Sequence, residues 1–232
     1  MKPPNEYAFR DRRQPRYIAL ALRRYSALAL IALASRGAIA QSTVRTAVSL
    51  FTGFATGLVV HETGHLIAGT VLDAHPGTKS ISYAGIPFFA VTHRDVPPRK
   101  EFVISSAGLW MQHIGSEWLL TARPQLRHEH APFLKGLFVF NVGTSVMYAG
   151  AAVLRTGPPE RDPRSMAASL GSHGWPEPTI GALMLAPALL DGYRFFHPEQ
   201  RWAEWTSRGL KVACAALTLA ASSHRESARS LR

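Results

Sequence analysis

Hydrophobic residues are concentrated in long uncharged runs that polar connections separate. Such runs predict helices, and about 20 consecutive apolar residues are enough to span a bilayer. The pattern therefore predicts a mainly α fold, namely a polytopic membrane bundle of about four to six helices. The runs are Tyr25–Ala40, Ala47–Leu72, Phe102–Leu120, Phe133–Leu154 and Thr179–Leu190, followed by a weaker run at Gly209–Ala221.

Two of the polar connections have a recognisable pattern. Residues 73–100 alternate apolar residues with Gly and Pro, which predicts a short β-hairpin with strands at Ile81–Tyr83 and Phe88–Thr92. Residues 155–178 are rich in Pro, Gly and charge and are expected to form a polar loop, with a small helix at Ser165–Leu170.

The chain divides into three parts by composition. Residues 1–40 combine a basic lead with an apolar run and read either as a signal peptide cleaved after Ala40 or as a retained first membrane anchor. Residues 41–222 form the membrane-embedded domain, and residues 223–232 form a basic tail. Either reading of the first part predicts an integral membrane protein of a bacterial inner membrane, with a cytoplasmic N-terminus.

Charge and cysteine content narrow the function classes. The formal net charge is +11, but no basic helix with interleaved aromatic residues is present, which argues against a nucleic-acid partner. Cys214 is the sole cysteine, so an internal disulfide framework and a cysteine-based zinc site are both excluded.

The second apolar run contains the motif HETGH. His61 and His65 lie four residues apart, so on a helix both imidazoles reach one metal ion. Ionisable groups are costly in an apolar helix, which favours a shared Zn²⁺ over an isolated polar cluster. In the zincin mechanism Glu62 would be the general base that activates a zinc-bound water.

A catalytic zinc site needs a third protein ligand. Asp191 borders the fifth apolar run and is the first candidate, while Glu117 on the third run is the alternative. Gln112, His113 and Asn141 are candidates for orienting a ligand or the substrate, or for polar contacts between helices.

The order of these motifs resembles the site-2 protease family of intramembrane metalloproteases. HETGH in an apolar helix is followed by a strand-rich loop, by PRKEFVISSAG and by a distant LLDGYR. The resemblance implies that His61, His65 and Asp191 bind zinc and that Glu62 is catalytic. Leu109 and Gln112 stand where the family's A-G-P-x-x-N element has proline and asparagine, so the chain would be a divergent member.

The leading hypothesis is therefore a zinc-dependent intramembrane endopeptidase that cleaves a membrane protein or peptide in or near its membrane segments, its partners being that substrate and the lipid bilayer. One alternative is an exported soluble or peripheral metalloprotease of the zincin type. The other is a non-catalytic membrane protein that retains a metal site.

Overall fold

The computed structural model describes residues 37–83, 86–158, 160–171 and 174–229. Within these ranges the chain is mainly helical with one small sheet, which confirms that part of the predicted fold class. The elements, in chain order, are α1 (Gly37–Val71), β1 (Gly77–Tyr83), β2 (Ile86–Thr92), α2 (Pro98–Ala122), α3 (Pro132–Leu154), α4 (Asp162–Leu170), α5 (Glu177–Phe196) and α6 (Arg201–Arg229).

The predicted N-terminal segment lies mostly outside the described residues, and position 40 falls inside α1. The predicted hairpin is present, with both strands longer than expected and paired antiparallel from Gly77 opposite Thr92 to Tyr83 opposite Ile86. The small helix of the polar loop begins at Asp162 rather than Ser165, one turn earlier than predicted. Helix α6 runs through residues 223–229, which the sequence assigned to a basic tail.

Proline marks the beginning of each helix from α2 to α5, where it occupies one of the first two positions. Its fixed φ suits the first helical turn, and the missing N–H has no intrahelical partner there. Helix α5 also contains Pro187 in its interior, one turn before Asp191.

Glycines let α1 approach its neighbours at backbone distance. A Cβ at Gly53 would overlap the carbonyl of Phe133, and a Cβ at Gly136 would overlap the carbonyl of Leu50. Gly57, one turn after Gly53, faces the ring of Phe140. This spacing of small residues is typical of closely packed helices in membranes.

The long helices alternate in direction along the chain, and α1 and α3 are parallel because Gly53 meets Phe133 and Gly57 meets Phe140. Helices α1 and α2 are antiparallel. Lys100 Nζ at the start of α2 donates to the carbonyl of Leu72 just after α1, and a Cβ at Gly64, earlier in α1, would lie 2.8 Å from the carbonyl oxygen of Ala107, later in α2. Gly181 near the start of α5 packs on Ala152 near the end of α3.

Helices α5 and α6 are also antiparallel. Ser207 Oγ near the start of α6 donates to Asp191 late in α5 at 2.7 Å, whereas Cys214 further along α6 lies 3.5 Å from the carbonyl of Leu183. Helices α1, α3 and α6 therefore run one way, and α2 and α5 run the other.

Polar side chains are common among the buried residues, and large apolar side chains are common among the exposed ones. Buried side chains include many polar groups, while large apolar side chains such as Phe51, Met147 and Leu154 are about 70% exposed. Two described helices, Thr43–Val71 and Pro132–Leu154, are long and apolar enough to cross a membrane, and only 11% and 33% of their apolar windows are buried. A core helix of a soluble protein would be mostly buried, so this exposure argues against that reading.

Candidate metal centre

The two histidines of α1 converge inside the bundle. His61 and His65 are both buried, and their Nε2 atoms lie 3.3 Å apart. His65 Nδ1–H donates to the backbone carbonyl of Ile104 in α2 at 2.7 Å. This bond fixes the tautomer of His65 and leaves its Nε2 lone pair free to bind a metal.

Asp162 at the start of α4 completes a group of three buried residues around one point. Its Oδ2 lies 3.2 Å from His61 Nε2 and 3.4 Å from His65 Nε2. The Asp162 side chain is 10% exposed. Burial raises the pKa of Asp162, but the neighbouring histidines, when protonated, lower it by more and hold the carboxyl well below its usual pKa.

These three separations match the requirements of zinc. Zinc binds histidine nitrogen and carboxylate oxygen at about 2.0–2.2 Å, so two ligand atoms at tetrahedral corners are about 3.3–3.6 Å apart. The observed separations of 3.3 and 3.4 Å fall at the short end of that range, and the third, 3.2 Å, lies just below it. Asp162 Oδ2 has no hydrogen-bond partner despite its burial, as expected for a lone pair directed at an ion.

Helix α2 packs against the two histidines at a glycine, Gly108. A Cβ at Gly108 would lie 2.5 Å from His61 Cε1 and would also overlap His65 Nε2. Any larger residue would displace the imidazoles, so glycine at this position gives the two histidines room to converge.

Glu62 lies beside the two histidines and is half-buried. Its Oε2 accepts a hydrogen bond from the backbone N–H of Val91 in β2 at 3.3 Å. Since this N–H points to Glu62, it is directed away from Thr78, its partner residue in β1. The carboxylate is therefore held at the outer edge of the hairpin.

An ion pair anchors the helix that provides Asp162. Arg161 is buried, and its Nη2 donates to Glu177 Oε2 at 2.9 Å, while its Nη1 donates to the carbonyl of Pro158 at 3.1 Å. Glu177 begins α5, so the pair ties the start of α4 to the start of α5.

Aromatic side chains of α3 form a further wall. The rings of Phe140 and Tyr148 lie 6.2 Å and 6.1 Å from the His61 ring. Neither was identified from the sequence.

The structure corrects the sequence-based choice of third group, because it does not bring Asp191 or Glu117 to the histidines. Asp191 Oδ1 accepts hydrogen bonds from Lys211 Nζ at 2.8 Å and Ser207 Oγ at 2.7 Å. Glu117 pairs with Arg194, Arg208 and Lys211. Both acids are therefore neutralised by cations of α5 and α6.

The three remaining candidate residues lie along α2 and α3. Gln112 and His113 are buried, and both polar atoms of Gln112 and Nε2 of His113 lack a hydrogen-bond partner. The Asn141 side chain reaches toward Gly115, and the backbone carbonyl of Asn141 accepts a hydrogen bond from Ser145 Oγ at 3.2 Å. His113 does not belong to the group of possible metal ligands that His61, His65 and Asp162 form.

Sequence reasoning missed Asp162 because it lies in the polar loop and outside every apolar run. One signal was present: an acidic residue followed by proline is typical of a helix start, and Asp162-Pro163 fits that pattern. Helical periodicity does not indicate which part of the fold such a short helix packs against.

Comparison of the chain with protein-family models, with curated proteins and with solved structures finds no match.

Proposed function

We propose that this protein is a membrane-embedded, zinc-dependent endopeptidase in which His61, His65 and Asp162 hold the ion and Glu62 is the general base. The observation that carries the proposal is the convergence of three buried donor atoms at 3.2–3.4 Å, with Glu62 beside them. Asp162 Oδ2 is buried close to both imidazoles but makes no hydrogen bond of good geometry, which favours an ion between the three groups.

Zinc, when bound, would supply a Lewis acid that activates water and polarises the scissile carbonyl. The chain's own groups account for the proton transfers. Glu62 would accept a proton from the attacking water on its carboxylate and then donate it to the leaving amine. The Val91 N–H bonded to Glu62 Oε2 holds this carboxylate in position.

The outer edge of β2 favours an extended substrate. Val91 directs its N–H away from β1, toward Glu62. N–H groups at alternate positions of a strand point to the same side, so Phe89 shares this edge. An unfolded substrate segment that paired with this edge by strand addition would lie next to Glu62. A peptidase that cleaves membrane helices requires such an extended, unwound segment.

The membrane location is supported by the polarity of the helices. Helices α1 and α3 would cross the bilayer, so the histidines would lie within a membrane-spanning segment. Exposed apolar residues around buried polar ones also disfavour the exported soluble alternative. A bacterial inner membrane fits the basic N-terminal composition.

The resemblance to site-2 proteases supports the same chemistry for the HETGH residues. It does not extend to the third ligand, because that family uses the aspartate of an L-D-G motif and Asp191 is bonded to Lys211 here. In the proposed site Asp162 takes that role.

The test is a comparison of zinc content and proteolysis for Glu62→Gln and His61→Ala. The full-length protein would be purified in detergent, loaded with zinc and assayed on unfolded casein. We expect Glu62→Gln to retain zinc and lose cleavage, and His61→Ala to lose both. Unchanged cleavage by Glu62→Gln would overturn the mechanism, and zinc binding without any wild-type cleavage would favour the non-catalytic alternative.

A further inference from the structure

Helix α6 buries its polar side chains and exposes its apolar ones. Ser207, Lys211 and Thr218 face the bundle and are at most 9% exposed. On the opposite side Trp205 and Val212 are 64% and 69% exposed. A surface helix of a water-soluble protein shows the reverse arrangement.

The exposed apolar positions form one continuous stripe. They recur at alternating intervals of three and four residues, which places them on a single helix face. At 1.5 Å per residue the stripe is about 26 Å long, close to the roughly 30 Å of a bilayer's hydrocarbon core. The stripe consists of Trp202, Trp205, Gly209, Val212, Ala216 and Leu219.

Ionised residues in α6 explain why hydropathy alone does not select it as a span. Three of them, Glu204, Arg208 and Lys211, are nonetheless paired with opposite charges. Arg208 binds Glu204 at 2.7 Å and Glu117 at 2.8 Å, and Lys211 binds Glu117 and Asp191, each at 2.8 Å.

Arg194 completes this ionic cluster through its bond to Glu117. The cluster then holds three carboxylates and three cations, so its formal charge sums to zero. Charges that face a bundle interior and pair with each other are the arrangement in which a membrane tolerates them.

The start of α6 has the composition of a membrane interface. Arg201, Trp202 and Trp205 lie in its first turns, and the Arg208 guanidinium sits 5.4 Å from the Trp205 ring centroid. Tryptophan and arginine are enriched at the headgroup level. The apolar surface also continues onto α2, where Ile114 and Trp118 are each 62% exposed.

We infer that α6 is embedded in the membrane, with this stripe in contact with lipid acyl chains and the buried groups Asp191, Arg194 and Lys211 of the ionic cluster facing inward. The proposal rests on the membrane location in the proposed function but not on its peptidase chemistry. It adds a third lipid-facing helix to the two that length and hydropathy select.

The test places a fluorophore at one position of the full-length protein, with Cys214→Ala removing the native thiol. Val212→Cys reports on α6, and Phe51→Cys on α1 is the matched control, since both side chains are 69% exposed. Asp73→Cys, in the turn after α1, is the water-exposed control, its side chain being 87% exposed. Each labelled protein is reconstituted into phosphatidylcholine vesicles and exposed to lipids with a mid-chain nitroxide or to aqueous iodide.

We expect the nitroxide lipids to quench the probes at positions 212 and 51 equally, and iodide to quench only the probe at position 73. Iodide quenching at position 212 with position 51 still shielded would overturn the inference about α6 but would leave the membrane location of α1 intact. Self-quenching between labelled copies at position 212 would also overturn it, because a second copy would then cover the stripe. Iodide quenching at both 212 and 51 would instead contradict the membrane location itself. Variants count only when their elution profile and melting temperature match those of the Cys214→Ala protein.

Discussion

Replacing Asp162 by alanine separates the proposed metal centre from the ionic cluster that holds Asp191. Asp162 contributes one of three donor atoms, which lie 3.2–3.4 Å apart. Altering a group that only orients a zinc ligand weakens metal affinity about 10- to 100-fold. Loss of the ligand itself should cost at least about 100-fold.

The loss of zinc affinity also lowers the free energy by which zinc stabilises the folded protein. At a zinc concentration 100 times the dissociation constant, the ion stabilises the folded protein by about 2.7 kcal/mol. A variant whose dissociation constant is 100-fold higher retains only about 0.4 kcal/mol of this at the same concentration. Zinc titration of Asp162→Ala, followed by bound-metal analysis and thermal unfolding, should therefore show almost no stabilisation by zinc.

Asp191→Ala is the matched control and should behave in the opposite way. The change leaves the buried Lys211 without its one buried carboxylate partner, with the half-buried Glu117 as its remaining carboxylate. Breaking a buried ion pair costs about 3–5 kcal/mol, so the melting temperature of the metal-free protein should fall. Its zinc stoichiometry should equal that of the wild type. Zinc loss in Asp191→Ala together with full zinc binding in Asp162→Ala would refute the assignment.

Two further substitutions test how the centre is positioned. Gly108→Ala should abolish zinc binding, because the added Cβ would collide with both imidazoles, whereas Gly143→Ala, where a Cβ meets nothing within 4 Å, should leave zinc content unchanged. Equal zinc content in the two variants would show that α2 does not constrain the histidines. Arg161→Gln should weaken zinc affinity about 10- to 100-fold, because α4 loses its anchor at Glu177. Exchanging the two as Arg161→Glu with Glu177→Arg should restore part of that affinity, and an Arg161→Gln protein with wild-type affinity would contradict a positioning role.

The sequence by itself determined the features that arise from local spacing. The intervals within HETGH place two imidazoles and a carboxylate on neighbouring positions of a helix, and the structure brings His61 and His65 together as that spacing predicts. The alternation in residues 73–100 likewise predicted the hairpin. Both results follow because backbone periodicity fixes which nearby residues share a face.

Tertiary structure alone decided which acid joins the histidines. Asp191 has the more suggestive sequence context, yet cations of α5 and α6 surround it, while a short helix in a polar loop carries Asp162 to the site. The position of Asp162 depends on the Arg161–Glu177 pair and on how α4 packs against α2. Such contacts join residues far apart in the chain, and no periodic pattern encodes them.

Gly108 shows the same division at a single residue. In the sequence it is one glycine of an apolar run, at the position of the glycine in the A-G-P-x-x-N element, and its local spacing does not indicate that it faces the two histidines. In the fold its missing side chain is what allows two imidazoles to meet, because α1 and α2 cross at that point. Local spacing placed two imidazoles and a carboxylate together on α1, and the packing of distant helices determined which further groups meet them at the proposed centre.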